Sequence, residues 1–328
     1  MNENRERNLG DLNKKRRMSK LSWAFTYSII AGLFIVVIVF TLTNSVDYFI
    51  DTRVLNESEV KIVLNVDGEN EIAGEQAYSE FSRVMDRYYY SENSPIDTLN
   101  ETRILYKNKD PETFNFITQL MSLAKKTGGV FDPTVIPVEK ADIPEEEFFE
   151  KTGYSYVYID EDKIELNDEV SIYAKDLVPY FAMDSVNLYI ENKYRNISGY
   201  IQFNEDFMVF GPKFNSSDWT IPILQPTKEL TYSEDTMRLL YVPSGSVIRK
   251  AEKIVSPVDG KIVESDFYSM VSIANEALKA KCLFETLLVS PIEYITEKSE
   301  RWDFEFMIMK DATDVSYSDG FNNYLINK

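Results

Sequence analysis

A run of 26 consecutive residues without a charge, 21–46, is the feature that most constrains this chain. Its centre, 31–42 (AGLFIVVIVFTL), is almost wholly apolar. At about 1.5 Å rise per residue, roughly 20 such residues cross a hydrocarbon core of about 30 Å. A core helix of a globular domain keeps a polar face, and this segment has none. The flanks give the orientation. Seven cations precede the run (Arg5, Arg7, Lys14, Lys15, Arg16, Arg17 and Lys20), whereas residues 47–60 hold only Arg53. The positive-inside rule then places residues 1–20 in the cytoplasm as a basic tail and everything after Val46 outside. Trp23 and Tyr27, with Tyr48 and Phe49 at the other edge, sit where interfacial aromatics belong. A cleaved signal peptide has a shorter apolar core, about 7–15 residues, and a small-residue cleavage site. T-L-T-N-S at 41–45 is a poor one, and no Cys follows directly to carry a lipid, so the span is expected to stay as a single-pass anchor.

Composition bounds what lies beyond the anchor. The chain holds 35 Lys+Arg against 54 Asp+Glu; the first twenty residues take seven of the cations and three of the acids, leaving 28 against 51, a net −23. Nucleic acid and anionic lipid are poor partners for such a surface. The lone Cys282 excludes an intrachain disulfide, so the outer part must rely on its apolar core. There is no histidine. That removes the commonest general base, Ser-His and Cys-His nucleophiles and most zinc sites, leaving carboxylates, Lys, Tyr or a bound ion for any chemistry.

Residues 47–58 read as a juxtamembrane linker and 59–328 as one mixed α+β domain. Alternation in 60–66 predicts a strand ended at Asp67-Gly68, and helical spacing covers 72–90. Asp110-Pro111 opens a helix that Gly128-Gly129 stops, leaving an irregular loop over 130–138. A short helix is predicted at 145–151, a hairpin from 154–159 and 163–166, and a helix over 177–193. Strands follow at 199–210, 218–224 and 239–242. A helix is predicted over 271–289 and a closing strand over 303–308.

The loop Thr127-Gly128-Gly129-Val130-Phe131-Asp132-Pro133-Thr134-Val135 resembles the S-G-G-A-F-D-P-T-V signature of the ApbE family, the FAD:protein FMN transferases. Further segments follow in that family's order. Phe81-Ser82-Arg83 with Leu99-Asn100 resembles its F-S-R…L-N stretch, and 219–226 (WTIPILQP) its W-x-V-x-I-x-x-P strand. Ser244-Gly245 and Pro257…Gly260 resemble its later turns. The resemblance implies an ApbE-like, T-fold-related domain outside the membrane, with flavin contacts at Asn100, Asp132 and Thr134. It also implies FAD and Mg²⁺ as cofactors, and transfer of FMN to a Thr or Ser of a target protein.

The positions that would handle phosphate and metal depart from the family pattern. Its D-L-G-G-I-A-K-G-Y-A-x-D segment is matched by 173–184 (YAKDLVPYFAMD): Lys175-Asp176 replace the glycine pair, Pro179 the lysine and Tyr180 the next glycine. Glycines there let backbone approach phosphate. N-L-G-G-D is matched by Gln202-Phe203-Asn204-Glu205-Asp206, placing the Glu205 carboxylate at the phosphate approach. In A-D-A-L-x-T the metal-binding Asp and Thr become Lys281 and Glu285; the family's His before I-x-D-P becomes Lys253, and that Asp becomes Ser256. Mg²⁺ needs hard oxygen ligands, which an ammonium repels. Lys281 and Glu285 stand four apart, the spacing of a helix-surface pair worth roughly 0.3–0.5 kcal/mol. The sharper alternative puts the Lys281 ammonium in the vacated metal position, neutralising Glu285 or Asp184. Tyr88-Tyr89-Tyr90 reads as packing rather than a flavin platform, and Cys282 as an inert core thiol. The expected protein is thus a membrane-anchored, non-catalytic ApbE-like binding or accessory protein that holds no cofactor. Its expected partners are the membrane and a flavoprotein or membrane complex. The alternative is a divergent FMN transferase with rebuilt ligands for FAD and Mg²⁺.

Overall fold

The computed structural model describes residues 47–55, 58–137, 145–213, 218–223, 238–242, 245–248, 254–263, 269–310 and 314–326. The expected anchor, 21–46, lies outside the described residues, as do Ser244 and Lys253. Among the described residues no helix is long and apolar enough to cross a membrane. Residues Tyr48–Lys328 form one compact unit.

The elements run β1 (Phe49–Leu55), β2 (Ser58–Asn65), α1 (Asn70–Tyr88), α2 (Pro95–Thr102), β3 (Ile104–Tyr106), α3 (Pro111–Thr127) and α4 (Glu145–Lys151). After them come β4 (Val157–Ile159), β5 (Lys163–Leu166), α5 (Val178–Lys193), β6 (Ser198–Phe203), β7 (Asp206–Phe210), β8 (Trp219–Ile223), β9 (Arg238–Val242) and β10 (Gly245–Ile248). The chain closes with β11 (Ile254–Val255), β12 (Ile262–Val263), β13 (Ser269–Ala274), α6 (Ala277–Val289), α7 (Ile292–Trp302), β14 (Glu305–Met309) and β15 (Val315–Tyr317).

Eight strands make one antiparallel sheet in the order β1-β2-β6-β7-β10-β13-β14-β15. Because side chains alternate across a sheet, β2 sends Val60, Ile62 and Leu64 to one face and Val63 to the other. The first set joins the main core with α1, α3, α5 and α6. The second joins a smaller core with Phe207, Val209 and the β8–β9 hairpin. The sheet is therefore a middle layer between helices and a hairpin. Strands β3, β5 and β4 form a separate small sheet, and β11–β12 a short ribbon.

Two expectations are corrected. Residues 49–55, read as linker, form edge strand β1, which pairs along its whole length with β2. The helix expected over 271–289 is strand β13 followed, after Asn275-Glu276, by α6. Every residue of β13 is buried, with Met270 and Ala274 in the main core and Val271 and Ile273 in the smaller one; a strand buried on both faces carries no period to separate it from a helix. Two further helices are present that the pattern reading did not include. α2 carries a capping box, with Ser94 and Asp97 bonding each other's backbone N–H behind Pro95; α7 buries Ile295, Ser299 and Trp302 at helical spacing.

Candidate functional site

α3 ends where Gly128 and Gly129 take left-handed backbone, φ 68° and 85°. The Gly129 N–H returns to the Ala124 carbonyl at 2.8 Å, so the helix terminates as a glycine cap and the chain turns inward. A side chain at Gly129 would press on the Tyr154 ring, 2.9 Å from its Cβ. Phe131, Asp132 and Thr134 then follow into the interior.

Asp132 and Thr134 are brought together, with their polar atoms engaged by the protein itself. Asp132 Oδ1 accepts from the Thr134 N–H (2.9 Å) and hydroxyl (2.7 Å), and Oδ2 accepts from the Tyr154 N–H (2.7 Å). Thr134 Oγ1 in turn accepts from the Gly153 N–H at 2.7 Å. Burial raises the Asp132 carboxyl above its ordinary range, and these donors pull the other way. Asn100 makes a two-way bond to the backbone of Ile172, accepting at 2.8 Å and donating at 2.9 Å. The next residue, Tyr173, donates its N–H to the Pro133 carbonyl at 2.7 Å. The three expected flavin residues thus share one framework, and each acts in it as a staple.

The segment matched to the phosphate-binding glycines is filled. Pro179 and Tyr180 are buried at the start of α5. Tyr180 donates its hydroxyl to Asp206 Oδ2 at 2.7 Å, and its ring packs edge-on to Phe203. Glu205, expected as the obstructing carboxylate, is exposed in the β6–β7 turn; the neighbouring Asp206 is the buried one. Sequence reasoning did not single out Asp206, although it is the one residue of its motif segment that keeps the family's carboxylate. Lys175 is exposed, with its ammonium 5.0 Å from the Tyr89 ring centroid. Tyr88 is a packing residue, edge-on to Phe116 and Phe181.

Lys281 and Glu285 lie on α6. The reading of a helix-surface pair fails, because Lys281 is 1% exposed and Glu285 21%. A helix buried on nearly all sides leaves no solvated face for the lysine. The ammonium stands 3.7 Å from Glu285 Oε1, and 5.7 and 5.6 Å from the ring centroids of Tyr180 and Phe284. Asp184, which the sharper reading also offered as a partner, caps α6 from α5. Its two oxygens accept from the Ala277 N–H at 2.7 Å and the Leu278 N–H at 2.9 Å. Cys282 is fully buried and its thiol is pushed well up, chiefly by desolvation. These residues do not suit Mg²⁺: a divalent cation would face a buried ammonium where it needs an oxygen.

The sequence model of the ApbE family matches residues 56–301. No curated protein sequence matches the chain. Among solved structures, an ApbE protein from Thermotoga maritima superposes with a TM-score of 0.70 at 20% identity, covering 86% of this chain and 100% of that one. The flavin transferase ApbE from Vibrio cholerae gives 0.70 at 14%, covering 85% and 100%. The apo flavinyl transferase ApbE from Pseudomonas stutzeri gives 0.69 at 15%, covering 85% and 96%.

Proposed function

Because this chain belongs to the ApbE family, we propose that it is a flavin-related protein of that family without transferase activity of its own. In this reading it is held in the membrane by residues 21–46 with its domain outside, as a binding or accessory protein of flavin or electron-transfer machinery. Its partner is a flavoprotein or a membrane complex, not nucleic acid. The observation that carries the reading is Lys281, an ammonium 1% exposed at the position matched to a metal-binding Asp. Phosphoryl transfer is catalysed by positioning and by cations that neutralise developing charge. A fixed lysine supplies one charge at one point, whereas Mg²⁺ supplies two and binds several oxygens at once. Tyr180 on Asp206 adds a second obstacle, since it fills space matched to a glycine.

A second reading, a divergent FAD:protein FMN transferase using FAD and Mg²⁺, is favoured by the family match and by the flavin transferases among the structural neighbours. One assay separates the two. The full chain in mild detergent is incubated with FAD, Mg²⁺ and an acceptor protein that an active flavin transferase modifies on a Thr or Ser, and the acceptor band is read by flavin fluorescence on a gel. The non-catalytic reading expects no band above a no-enzyme control for the wild type or for Lys281→Asp/Glu285→Thr, because Pro179 and Tyr180 remain. A fluorescent band with the wild type rejects it in favour of the transferase.

A further inference from the structure

Strand β1 ends the eight-stranded sheet, and among the described residues its only strand partner is β2. Edge strands are usually kept short, bulged, charged toward solvent or interrupted by Pro. β1 has seven residues and no Pro, and it exposes Ile50 at 65% and Val54 at 71%. At the opposite edge, β15 has only three residues.

The sequence of β1, Phe49-Ile50-Asp51-Thr52-Arg53-Val54-Leu55, is chemically symmetric about Thr52. Two apolar residues and an acid precede the centre; a base and two apolar residues follow it. Two copies laid antiparallel with Thr52 opposite Thr52 place Asp51 against Arg53, Ile50 against Val54 and Phe49 against Leu55, each pair twice. A two-fold contact must be self-complementary in this way. The charges sit on the helix-side face. Arg53 Nε already bonds Asp51 Oδ2 at 2.8 Å within one strand, Arg53 reaches Glu75, and its guanidinium lies 4.0 Å from the centre of the Tyr78 ring. A second copy offers the same acid–base set in reverse. The exposed Ile50 and Val54 lie on the other face, where an antiparallel neighbour would pair and partly cover them.

We infer that β1 is a self-pairing edge, and that two copies of this chain join their sheets through it in the register centred on Thr52. The inference is independent of whether the flavin site is catalytic, since none of the β1 residues belongs to that site.

Single cysteines placed in the full chain, in mild detergent under copper-phenanthroline oxidation, test both pairing and register. The only native cysteine, Cys282, is buried, so the wild type serves as background. Thr52→Cys is expected to give a cross-linked dimer on a non-reducing gel. Ile50→Cys alone is expected to give none, because in this register the two copies of position 50 stand four residues apart along the ladder, about 14 Å at the antiparallel rise per residue. Ile50→Cys mixed with Val54→Cys should restore the dimer. The paired Ile50→Lys/Val54→Lys variant, whose changes are confined to exposed side chains, should halve the mass measured by light scattering. A monomeric wild type, or cross-linking of Ile50→Cys with itself, overturns the inference.

Discussion

A lysine ammonium that is 1% exposed must be stabilised by the groups around it, because removing an unpaired charge from water costs several kcal/mol. Around the Lys281 ammonium stand a carboxylate oxygen at 3.7 Å and two aromatic rings under 6 Å away. Cation–π contacts contribute about 0.5–2 kcal/mol each, and the Glu285 carboxylate adds an opposite charge beside them. The two members of the pair are not equivalent to remove. Glu285→Gln leaves the ammonium buried beside a neutral amide, and should lower stability by about 1–3 kcal/mol. Lys281→Met removes the charge that needs compensation and keeps most of the side-chain volume. Glu285, 21% exposed, can then turn to water, so this variant should cost under about 1.5 kcal/mol or even stabilise. Urea denaturation of the two variants measures both. The reverse ranking would show that contacts other than the carboxylate hold Lys281 in place.

At the scale of elements, α5 and α6 are joined by a cap that neither helix makes alone. The first N–H groups of a helix lack internal partners, and Glu276, the residue before α6, makes no side-chain capping bond. Asp184 supplies the missing acceptors from α5. Burial pushes its carboxyl up to about 7, and the Glu276 charge pushes the same way, while the two backbone donors oppose them. A folded-state value above the unfolded one means that folded protein keeps a proton which unfolded protein has lost between about pH 4 and 7. The stability tied to this proton is full below pH 4, falls as pH rises to about 7, and is level above. A tenfold change in proton affinity corresponds to about 1.4 kcal/mol, so the effect is a few kcal/mol at most. The melting temperature of the wild type minus that of Asp184→Asn should therefore be highest near pH 4–5 and lowest above pH 7.5. The opposite slope would mean that the capping bonds outweigh burial. Little of this was legible in the sequence. Alternation exposed β2, helical spacing exposed α1 and α3, and the paired glycines exposed the turn that carries Asp132. Asp184 was visible as a retained acid, but the N–H groups it caps lie 93 and 94 residues away. β13 was hidden because full burial erases its period, and β1 because a mixed seven-residue segment beside an expected anchor reads as a linker.

For the whole molecule, the distribution of charge bears most directly on which side of a membrane the domain occupies. Seven cations stand before the uncharged run and one within fourteen residues after it, while the part beyond residue 20 carries 28 cations against 51 acids. Cations near a span are retained on the cytoplasmic side, whereas acids weigh little in that choice. The compact unit Tyr48–Lys328 has no disulfide to lose or form, so its stability does not depend on the redox state of the compartment. Its one thiol, Cys282, is buried within the core, which makes an external labelling reagent blind to topology. Proteolysis is the better probe. Protease added to intact cells, after the outer envelope is opened where one exists, should degrade the domain and remove an epitope placed after Lys328. An epitope placed before Met1 should survive until the membrane itself is lysed. Protection of the C-terminal epitope in intact cells, with cleavage only after lysis, would reverse the orientation and place the flavin-related domain in the cytoplasm. Loss of the N-terminal epitope from an otherwise full-length outer domain would instead mean that residues 21–46 are removed after export.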